Sequence, residues 1–223
     1  MRKNIVKFYI IALLLLNCGL SSYAISDDAY INLKRYTEII SNNPQGAKGY
    51  TLRGLLYYSQ YKDYEKAIND FNYAIKYNPN DPRLYLFRGL SKKELENYSG
   101  ALPDLTKAIS MYNNKGTPQA LAYCTRAVVY LMLGNNNASI EDSTQAIKLQ
   151  PKYPLAFFTR AEAKLNIYGK QNSISGVQSA IQDFYYAKEQ YSEMGNMSEY
   201  QRVMERYNEA TEIKKSMERK LSQ

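Results

Sequence analysis

Small residues recur along the chain and divide it into four similar segments. In each segment a small residue is followed by Ile or Leu one position later, by Asp three positions later and by Ala seven positions later. These small residues are 34, 38 and 41 residues apart, and they are Ala67, Ala101, Ser139 and Ala180. Apolar positions three, four and seven residues apart lie on one face of an α-helix. The pattern therefore predicts four copies of one helical unit.

Each copy contains two helices joined by a turn. In the first copy, Tyr50, Gly54 and Tyr57 lie on one face of a first helix. The second helix of this copy has its apolar face at Tyr64, Ala67, Ile68, Phe71, Ala74 and Ile75, and it is closed by Asn78-Pro79. The third copy departs from the pattern at Asn136 and Ser143, where aromatic residues are expected. We therefore expect its second helix to be the weaker one.

The copies repeat with a period near 34 residues. Aromatic and small residues lie on the first helix, and Ala, an aromatic residue, Ala and Pro follow them. This pattern resembles the tetratricopeptide repeat. The resemblance covers about residues 29–194. It implies an all-α fold, a right-handed α-α superhelix of about ten helices without strands. The boundaries that follow are a signal peptide at 1–24, a capping helix at 25–46, repeats at 47–80, 81–119, 120–153 and 154–195, and a closing helix at 196–223.

Both flanks and one insertion extend this pattern. Ser26 is a suitable N-cap for the opening helix, whose apolar face is Ala29, Leu33, Tyr36 and Ile40. Ser198 can cap the closing helix, whose apolar stripe is Tyr200, Met204, Tyr207, Thr211, Lys214, Met217 and Leu221. The fourth copy has seven extra residues, and Gly and Ser within 166–177 predict a loop there. This loop is either a tolerated surface insertion or a functional protrusion.

The composition narrows the possible functions. The chain is 45% hydrophobic and has no His, so the commonest proton-transfer group and metal ligand are absent. We expect no enzymatic activity, no cofactor and no metal site. The net charge is +8, and acidic residues are interspersed with the basic ones, whereas a nucleic-acid footprint would be clustered. We therefore expect no nucleic-acid partner.

The N-terminus has the pattern of a secretory signal peptide. Arg2, Lys3 and Lys7 precede an apolar run over residues 8–16, and small residues at Ser22 and Ala24 suit a signal peptidase. The apolar run is too short for a membrane anchor, since a span needs about 20 residues. Leu15-Leu16-Asn17-Cys18 resembles a lipoprotein box, although Asn17 departs from it, so membrane contact is expected only if Cys18 is lipidated. The expected location is periplasmic, cell-surface or extracellular.

An Arg and an Asp recur in every copy. The Arg directly precedes the small residue of the first helix, and the Asp lies in the second helix. The residues are Arg53, Arg88, Arg126 and Arg160, with Asp70, Asp104, Asp142 and Asp183. Because a guanidinium can bind a carboxylate through two hydrogen bonds, we expect structural ion pairs within a repeat or between neighbouring repeats. The alternative is an anionic ligand site.

The resemblance also implies where a partner binds. First helices of this family line a concave groove, and their residues outside the packing pattern face the ligand. The candidate groove residues are Lys48, Thr51, Leu55, Tyr58, Arg83, Leu86, Leu90, Lys93, Leu121, Cys124, Val128, Leu131, Leu155, Phe158 and Glu162. Thr51 and Leu55 stand where some members have the Lys and Asn of a carboxylate clamp, so that activity is not supported. Several of these Leu residues could instead pack against neighbouring helices.

These features favour a non-catalytic scaffold that acts outside the cytoplasm and binds a protein or peptide segment in its groove. Two alternatives remain open at this stage. One is an architectural solenoid that associates with itself through incomplete end repeats. The other is an enzyme that uses paired carboxylates, although no carboxylate pair stands apart from the repeats.

Overall fold

The computed structural model describes residues 27–112 and 116–222. In these ranges the chain forms ten α-helices and no strand, which confirms the predicted all-α class. The helices are α1 (Asp27–Asn42), α2 (Ala47–Leu56), α3 (Tyr64–Tyr77), α4 (Pro82–Glu94), α5 (Tyr98–Tyr112), α6 (Gly116–Met132), α7 (Asn136–Leu149), α8 (Pro154–Tyr168), α9 (Ile174–Glu193) and α10 (Met197–Leu221). The signal peptide and the Ser26 cap predicted from the sequence lie outside the described residues.

The first of two compact units extends to Leu95 and contains α1 to α4. Each helix packs on the next one along the chain. Ala29 and Tyr36 of α1 form a buried cluster with Leu56 of α2. Helices α2 and α3 approach closely at Gly54, where a Cβ atom would lie 3.0 Å from the Phe71 ring. The small residue of the first helix therefore allows the close contact that the repeat needs.

The second unit begins at Glu96 and contains α5 to α10. Successive helices pack against each other, and α6 also contacts α8 directly. One buried cluster joins α6, α7 and α8 around Cys124, Ala146 and Ala156. A larger cluster joins α8, α9 and α10 and includes the completely buried Phe184. Within this unit, first helices thus lie beside first helices, as in a helical repeat.

Polar side chains cap most of the helices. Asp63, Asn135 and Ser173 each accept a hydrogen bond from a backbone N–H in the first turn of the following helix. The cap of α10 is Asn196, which accepts from the N–H of Glu199 at 3.3 Å, so the predicted Ser198 cap is wrong by two residues. Asn and Ser are both strong N-cap residues, and the sequence alone does not decide between them.

A single extra residue in the first repeat produces a π-helical turn. Gly54 and Ala67 are 13 residues apart, whereas Gly89 and Ala101 are 12 apart. Residues Tyr57–Tyr61 form a π-helix directly after α2. A π-turn accommodates one residue more than an α-turn does, so both flanking helices keep their register. The sequence analysis missed this feature, although the spacing contains its signal.

The connection between α8 and α9 lies inside the predicted loop at 166–177 but is shorter, because residues 166–168 and 174–177 are helical. Helix α8 continues to Tyr168 and α9 begins at Ile174, so only residues 169–173 form the connection. Compared with the third copy, the seven extra residues comprise two at the end of α8, two in the connection and three at the start of α9. Gly and Ser near a helix N-terminus favour a cap as much as a loop, and Ser173 is the cap here.

The buried stripe of α10 differs from the predicted one. Val203, Ala210 and Met217 are its buried residues, spaced by seven, whereas Leu221 is largely exposed. Met217 belongs to both stripes, and Tyr200 and Tyr207 of the predicted stripe are partly buried and pack against the same cluster. Val203 and Ala210 are shorter than the Tyr and Met side chains beside them, and the close contact with α9 selects these short residues.

No helix within 27–112 or 116–222 has the length and hydropathy to cross a bilayer.

Helix α7 carries two buried hydroxyl groups without a hydrogen-bond partner, those of Ser139 and Ser143. Equivalent positions to Ser139 are occupied by Ala67, Ala101 and Ala180, which are completely buried. A buried unsatisfied hydroxyl group lowers stability. The sequence predicts a weaker second helix in the third copy, and the structure shows two unpaired hydroxyl groups on the packing face of this helix.

We expect Ser139→Ala to stabilise the fold by about 1 kcal/mol, because it removes the unsatisfied group and keeps the shape of the site. Urea denaturation followed by circular dichroism measures this change. The matched control is Ala180→Ser, which places a hydroxyl in the equivalent position of the fourth repeat and should lower stability by a similar amount. A less stable Ser139→Ala variant would show that the hydroxyl is satisfied by a buried water.

Candidate binding surface

Three of the recurrent Arg residues form two-pronged ion pairs with the Asp of their own repeat. Both the Nε and Nη2 atoms of Arg53 donate to Asp70 at 2.8 Å. The same two donors of Arg126 reach Asp142 at 2.6 and 2.9 Å. Those of Arg160 reach Asp183 at 2.8 and 2.7 Å. Each pair joins the first helix of a repeat to the second helix of the same repeat.

A further donor of each Arg contacts the second helix of the preceding repeat. The Nη1 atoms of Arg126 and Arg160 donate to Thr106 at 2.9 Å and to Thr144 at 3.2 Å. Similarly, Arg88 donates to Asn72 at 2.8 Å and Arg53 to Thr37 at 3.4 Å. In all four cases an aromatic ring three residues earlier lies 5.5 to 6.0 Å from the guanidinium carbon, namely Tyr50, Tyr85, Tyr123 and Phe157. The geometry indicates a structural role within each unit.

The Arg donors and Asp acceptors of these three pairs are therefore used within the fold. The hydrogen bonds that Arg53 donates to Asp70 raise the pKa of Arg53 above its usual value. Arg88 and Asp104 lie in different units, and the pairing between them stays a prediction. Among the described residues, no group of three or more metal-binding side chains lies together. The recurrent charges thus do not form a separate anionic ligand site in these three repeats.

Five of the fifteen candidate groove residues are buried. They are Leu55, Tyr58, Leu86, Leu90 and Cys124, all at most 5% exposed. These side chains pack in the core and offer no surface to a partner in this conformation. The rule that places these repeat positions in the groove considers helix position only, so it does not detect side chains that neighbouring helices cover.

The basic candidate residues of the first unit are partly neutralised. The Nε atom of Arg83 donates to Asp81 at 2.8 Å, and Lys93 lies 2.7 Å from Glu94. Lys48 is exposed, while Thr51 is half-buried and donates to the carbonyl of Ala47. An acidic ligand would have to compete with Asp81 and Glu94 for two of these cations. The first unit therefore offers less positive charge than the sequence suggests.

In the second unit, six candidate residues keep partial exposure on α6 and α8, namely Leu121, Val128, Leu131, Leu155, Phe158 and Glu162. Leu121 and Leu155 also pack against the cluster around Cys124. Val128 and Leu131 lie one helical turn apart on α6. Since α6 and α8 are in contact, these side chains lie on two neighbouring first helices. This set is the remaining candidate for an apolar binding surface.

Helix α10 covers the α8 end of this set. Arg206 donates to both oxygens of Glu162, at 2.6 and 2.7 Å, and these hydrogen bonds raise the pKa of Arg206. The guanidinium carbon of Arg202 lies 4.7 Å from the centre of the Phe158 ring. The sequence analysis missed both contacts, because nothing in a single sequence links residues 44 positions apart. Glu162 therefore fixes α10, and Arg202 places a cation at the edge of the apolar surface.

Comparison with known proteins supports the repeat architecture. The family model of the tetratricopeptide repeat matches residues 47–81 and 120–153. A TPR repeat-containing protein of Methanocaldococcus jannaschii is 30% identical over 97 residues, which cover 44% of this chain and 16% of that protein. Serine/threonine-protein phosphatase 5 of Homo sapiens is 34% identical over 96 residues, which cover 42% of this chain and 18% of that protein. The chain thus spans less than a fifth of the length of either relative.

Solved structures share the fold at low sequence identity. MamA superposes with a TM-score of 0.63 at 17% identity, over 79% of this chain and 99% of that one. YrrB, described as a TPR protein with an unusual peptide-binding site, superposes with a TM-score of 0.57 at 16% identity, over 84% of this chain and 99% of that one. The chain thus shares the all-helical repeat fold of these structures, and its residues 47–81 and 120–153 are similar to the tetratricopeptide repeat.

Proposed function

We propose that the chain is a non-catalytic scaffold that binds a protein or peptide segment on the first helices of its second unit. The observation that carries this proposal is the row of partly exposed apolar side chains on α6 and α8, Leu121, Val128, Leu131 and Leu155. Apolar surface at the centre and charge at the rim are typical of protein interfaces. The tetratricopeptide fold, which hosts protein–protein interaction, supports the same reading.

The chemistry of this surface indicates the class of segment that it binds. Apolar side chains of the ligand would lie between α6 and α8, as in the helix-in-groove or extended-peptide modes. Arg202 is half-exposed beside Phe158 and pairs with Glu199 at 2.8 Å, so an acidic ligand residue at that end would gain a charge contact in competition with Glu199. The ligand is therefore an apolar segment with an acidic residue near one end.

A peptide library displayed on phage and selected against the purified chain supplies ligands for a direct test. We expect the selected peptides to be apolar with an acidic residue, and to lose about tenfold or more in affinity for the Val128→Glu/Leu131→Glu variant. The matched control is Leu133→Glu, which places the same charge on an exposed Leu in the turn after α6. Equal affinity for all three proteins, with helicity intact by circular dichroism, would contradict the proposed surface.

We also propose that the chain acts outside the cytoplasm, on the basis of the signal-peptide pattern in residues 1–24. Removal of these residues takes away three positive and no negative charges, which leaves a net charge of +5. Intact-mass spectrometry of the chain isolated from its native host tests this directly. We expect a chain that begins at Ile25. A chain that begins at Cys18 and carries an added lipid would indicate the lipoprotein alternative. An unprocessed chain in the cytoplasm would refute export.

A further inference from the structure

The ends of α6 and α8 lie side by side in the second unit. The Nδ2 atom of Asn166, in the last turn of α8, donates to the Oδ1 atom of Asn136, which begins α7, at 3.1 Å. Only residues 133–135 separate the end of α6 from Asn136. The α6–α7 and α8–α9 connections are therefore neighbours at one edge of the unit.

Helix α10 ends at the same edge. It runs parallel to α8, because the contacts that Arg202 and Arg206 make with α8 follow each other in the same direction along both helices. Its last turns reach the α8–α9 connection, where Lys220 and Asn172 line one small surface pocket. We call this border the first-helix edge, and it consists of residues 132–136, 166–173 and 212–221.

Basic residues outnumber acidic ones on the first-helix edge. Its segments 132–136 and 166–173 contain no acidic residue, and Lys170 is exposed in the second of them. The two acids of the third segment are already paired, Glu212 with Lys215 at 2.7 Å and Glu218 with Lys214 at 3.1 Å. Arg219 and Lys220 are exposed in addition to these pairs. The edge thus has five basic and two acidic residues, and a net charge of +3.

The same edge exposes apolar side chains. Met132 is 57% exposed and Leu133 is 46% exposed, where α6 ends. No charged residue lies in the segment 132–136, so a partner can cover both side chains without burial of an unpaired charge. Apolar groups favour the boundary between lipid headgroups and acyl chains, and nearby Lys and Arg are attracted to anionic lipids. The edge combines both features.

The opposite edge of the unit has apolar groups without this charge. The α7–α8 and α9–α10 connections lie there, and Lys152 of the first pairs with Glu193 of the second at 3.4 Å. Met194 and Met197 are 51% and 54% exposed, as much as the apolar residues of the first-helix edge. The segments 150–153 and 193–199 together have a net charge of −1. Exposed apolar surface thus occurs on both edges, whereas an excess of positive charge occurs on the first-helix edge.

We propose that the first-helix edge docks on the surface of an anionic lipid bilayer. Met132 and Leu133 enter the headgroup region, and Lys170, Arg219 and Lys220 lie against lipid phosphates. The apolar and basic groups are at the tips of separate helices and not around one concave site, so they suit a laterally extended partner better than a single acidic segment. The proposal does not depend on lipidation of the chain or on the peptide-binding surface of α6 and α8.

A single introduced indole tests the proposal, because the chain contains no Trp. Leu133→Trp places the indole on the first-helix edge, and Met194→Trp places it on the opposite edge as the matched control. The full chain is mixed with vesicles of phosphatidylcholine and phosphatidylglycerol in equal parts. We expect the emission of Leu133→Trp to move to shorter wavelength and to be quenched by brominated acyl chains, whereas the emission of Met194→Trp stays unchanged.

Charge reversal in the Leu133→Trp chain tests the role of the cations. Lys170→Glu/Lys220→Glu should raise the lipid concentration for a half-maximal emission shift by about tenfold or more. Lys107→Glu/Lys152→Glu makes the same change in net charge at exposed positions away from the edge. It should leave that concentration within about twofold of the original, because salt screens distant charges.

Three results would overturn the proposal. One is an emission of Leu133→Trp that anionic vesicles do not change. Another is an equal shift for Leu133→Trp and Met194→Trp, which would mean that other residues, such as 1–24, bring the chain to the bilayer without this orientation. The third is an equal response to vesicles of phosphatidylcholine alone, which would exclude the role of charge. Circular dichroism checks that each variant stays helical, and Met132→Trp provides a second position on the same edge.

Discussion

Replacement of Asp183 by Ala should destabilise the fold by about 3–5 kcal/mol, because it leaves buried cations without a counter-charge. Asp183 is 3% exposed and accepts from Arg160 on one side and from Lys164 at 2.7 Å on the other. It is therefore the only Asp among the three described pairs with two cationic partners. Removing one member of a buried ion pair lowers the free energy of unfolding by more than the intact pair contributes to it. The remaining charge is then buried without hydration and without a counter-charge.

The exposed pair between Lys152 and Glu193 is the matched control for this prediction. Glu193 also lies on α9, and its Oε2 atom is 3.4 Å from Nζ of Lys152. The two side chains are, however, 64% and 84% exposed. Glu193→Ala should change stability by no more than about 0.5 kcal/mol, because water screens the pair and solvates the remaining Lys. Urea denaturation midpoints of both variants provide the comparison. If Asp183→Ala proved no more costly than Glu193→Ala, the recurrent Arg–Asp pairs would have to be regarded as incidental to stability.

The sequence predicts these pairs because it repeats. A residue that recurs in four copies at one position has similar neighbours in each copy, so an Arg–Asp pair could be expected, either within a repeat or between neighbouring repeats, without coordinates. The third contact of each Arg was not predicted, although its acceptor also recurs. Thr106, Thr144 and Asn72 lie two residues after their Asp, and a Thr or Asn on a helix surface has no special meaning until the neighbouring helix is placed.

The sequence predicts the candidate binding surface less well, for a physical reason. Repeat positions specify on which side of a helix a residue lies, whereas accessibility depends on the size and length of neighbouring elements. Cys124 is completely buried, and Ala146 of α7 and Ala156 of α8 belong to the same buried cluster. Such contacts depend on how neighbouring helices pack and not on a local pattern of the sequence.

Helix propensity and packing make opposite predictions for Gly176, which lies in the first turn of α9. Ala is preferred to Gly within a helix by about 1 kcal/mol, so propensity alone predicts a more stable Gly176→Ala variant. A Cβ atom at this position would, however, lie 2.2 Å from Cγ and 2.5 Å from Cβ of Tyr168. The Cβ of Tyr168 is attached to the backbone of α8, so rotation of the side chain does not relieve the overlap.

We therefore expect Gly176→Ala to destabilise the fold by about 2–3 kcal/mol, because α8 and α9 must separate where they meet at the short 169–173 connection. The variant Ser175→Ala, at the exposed neighbouring position, should stay within about 0.5 kcal/mol of the original chain. Urea denaturation of both variants decides between the two effects. A stabilised Gly176→Ala variant would mean that α8 and α9 have room to separate, and that the close approach of Tyr168 is not required by the packing of the fourth repeat.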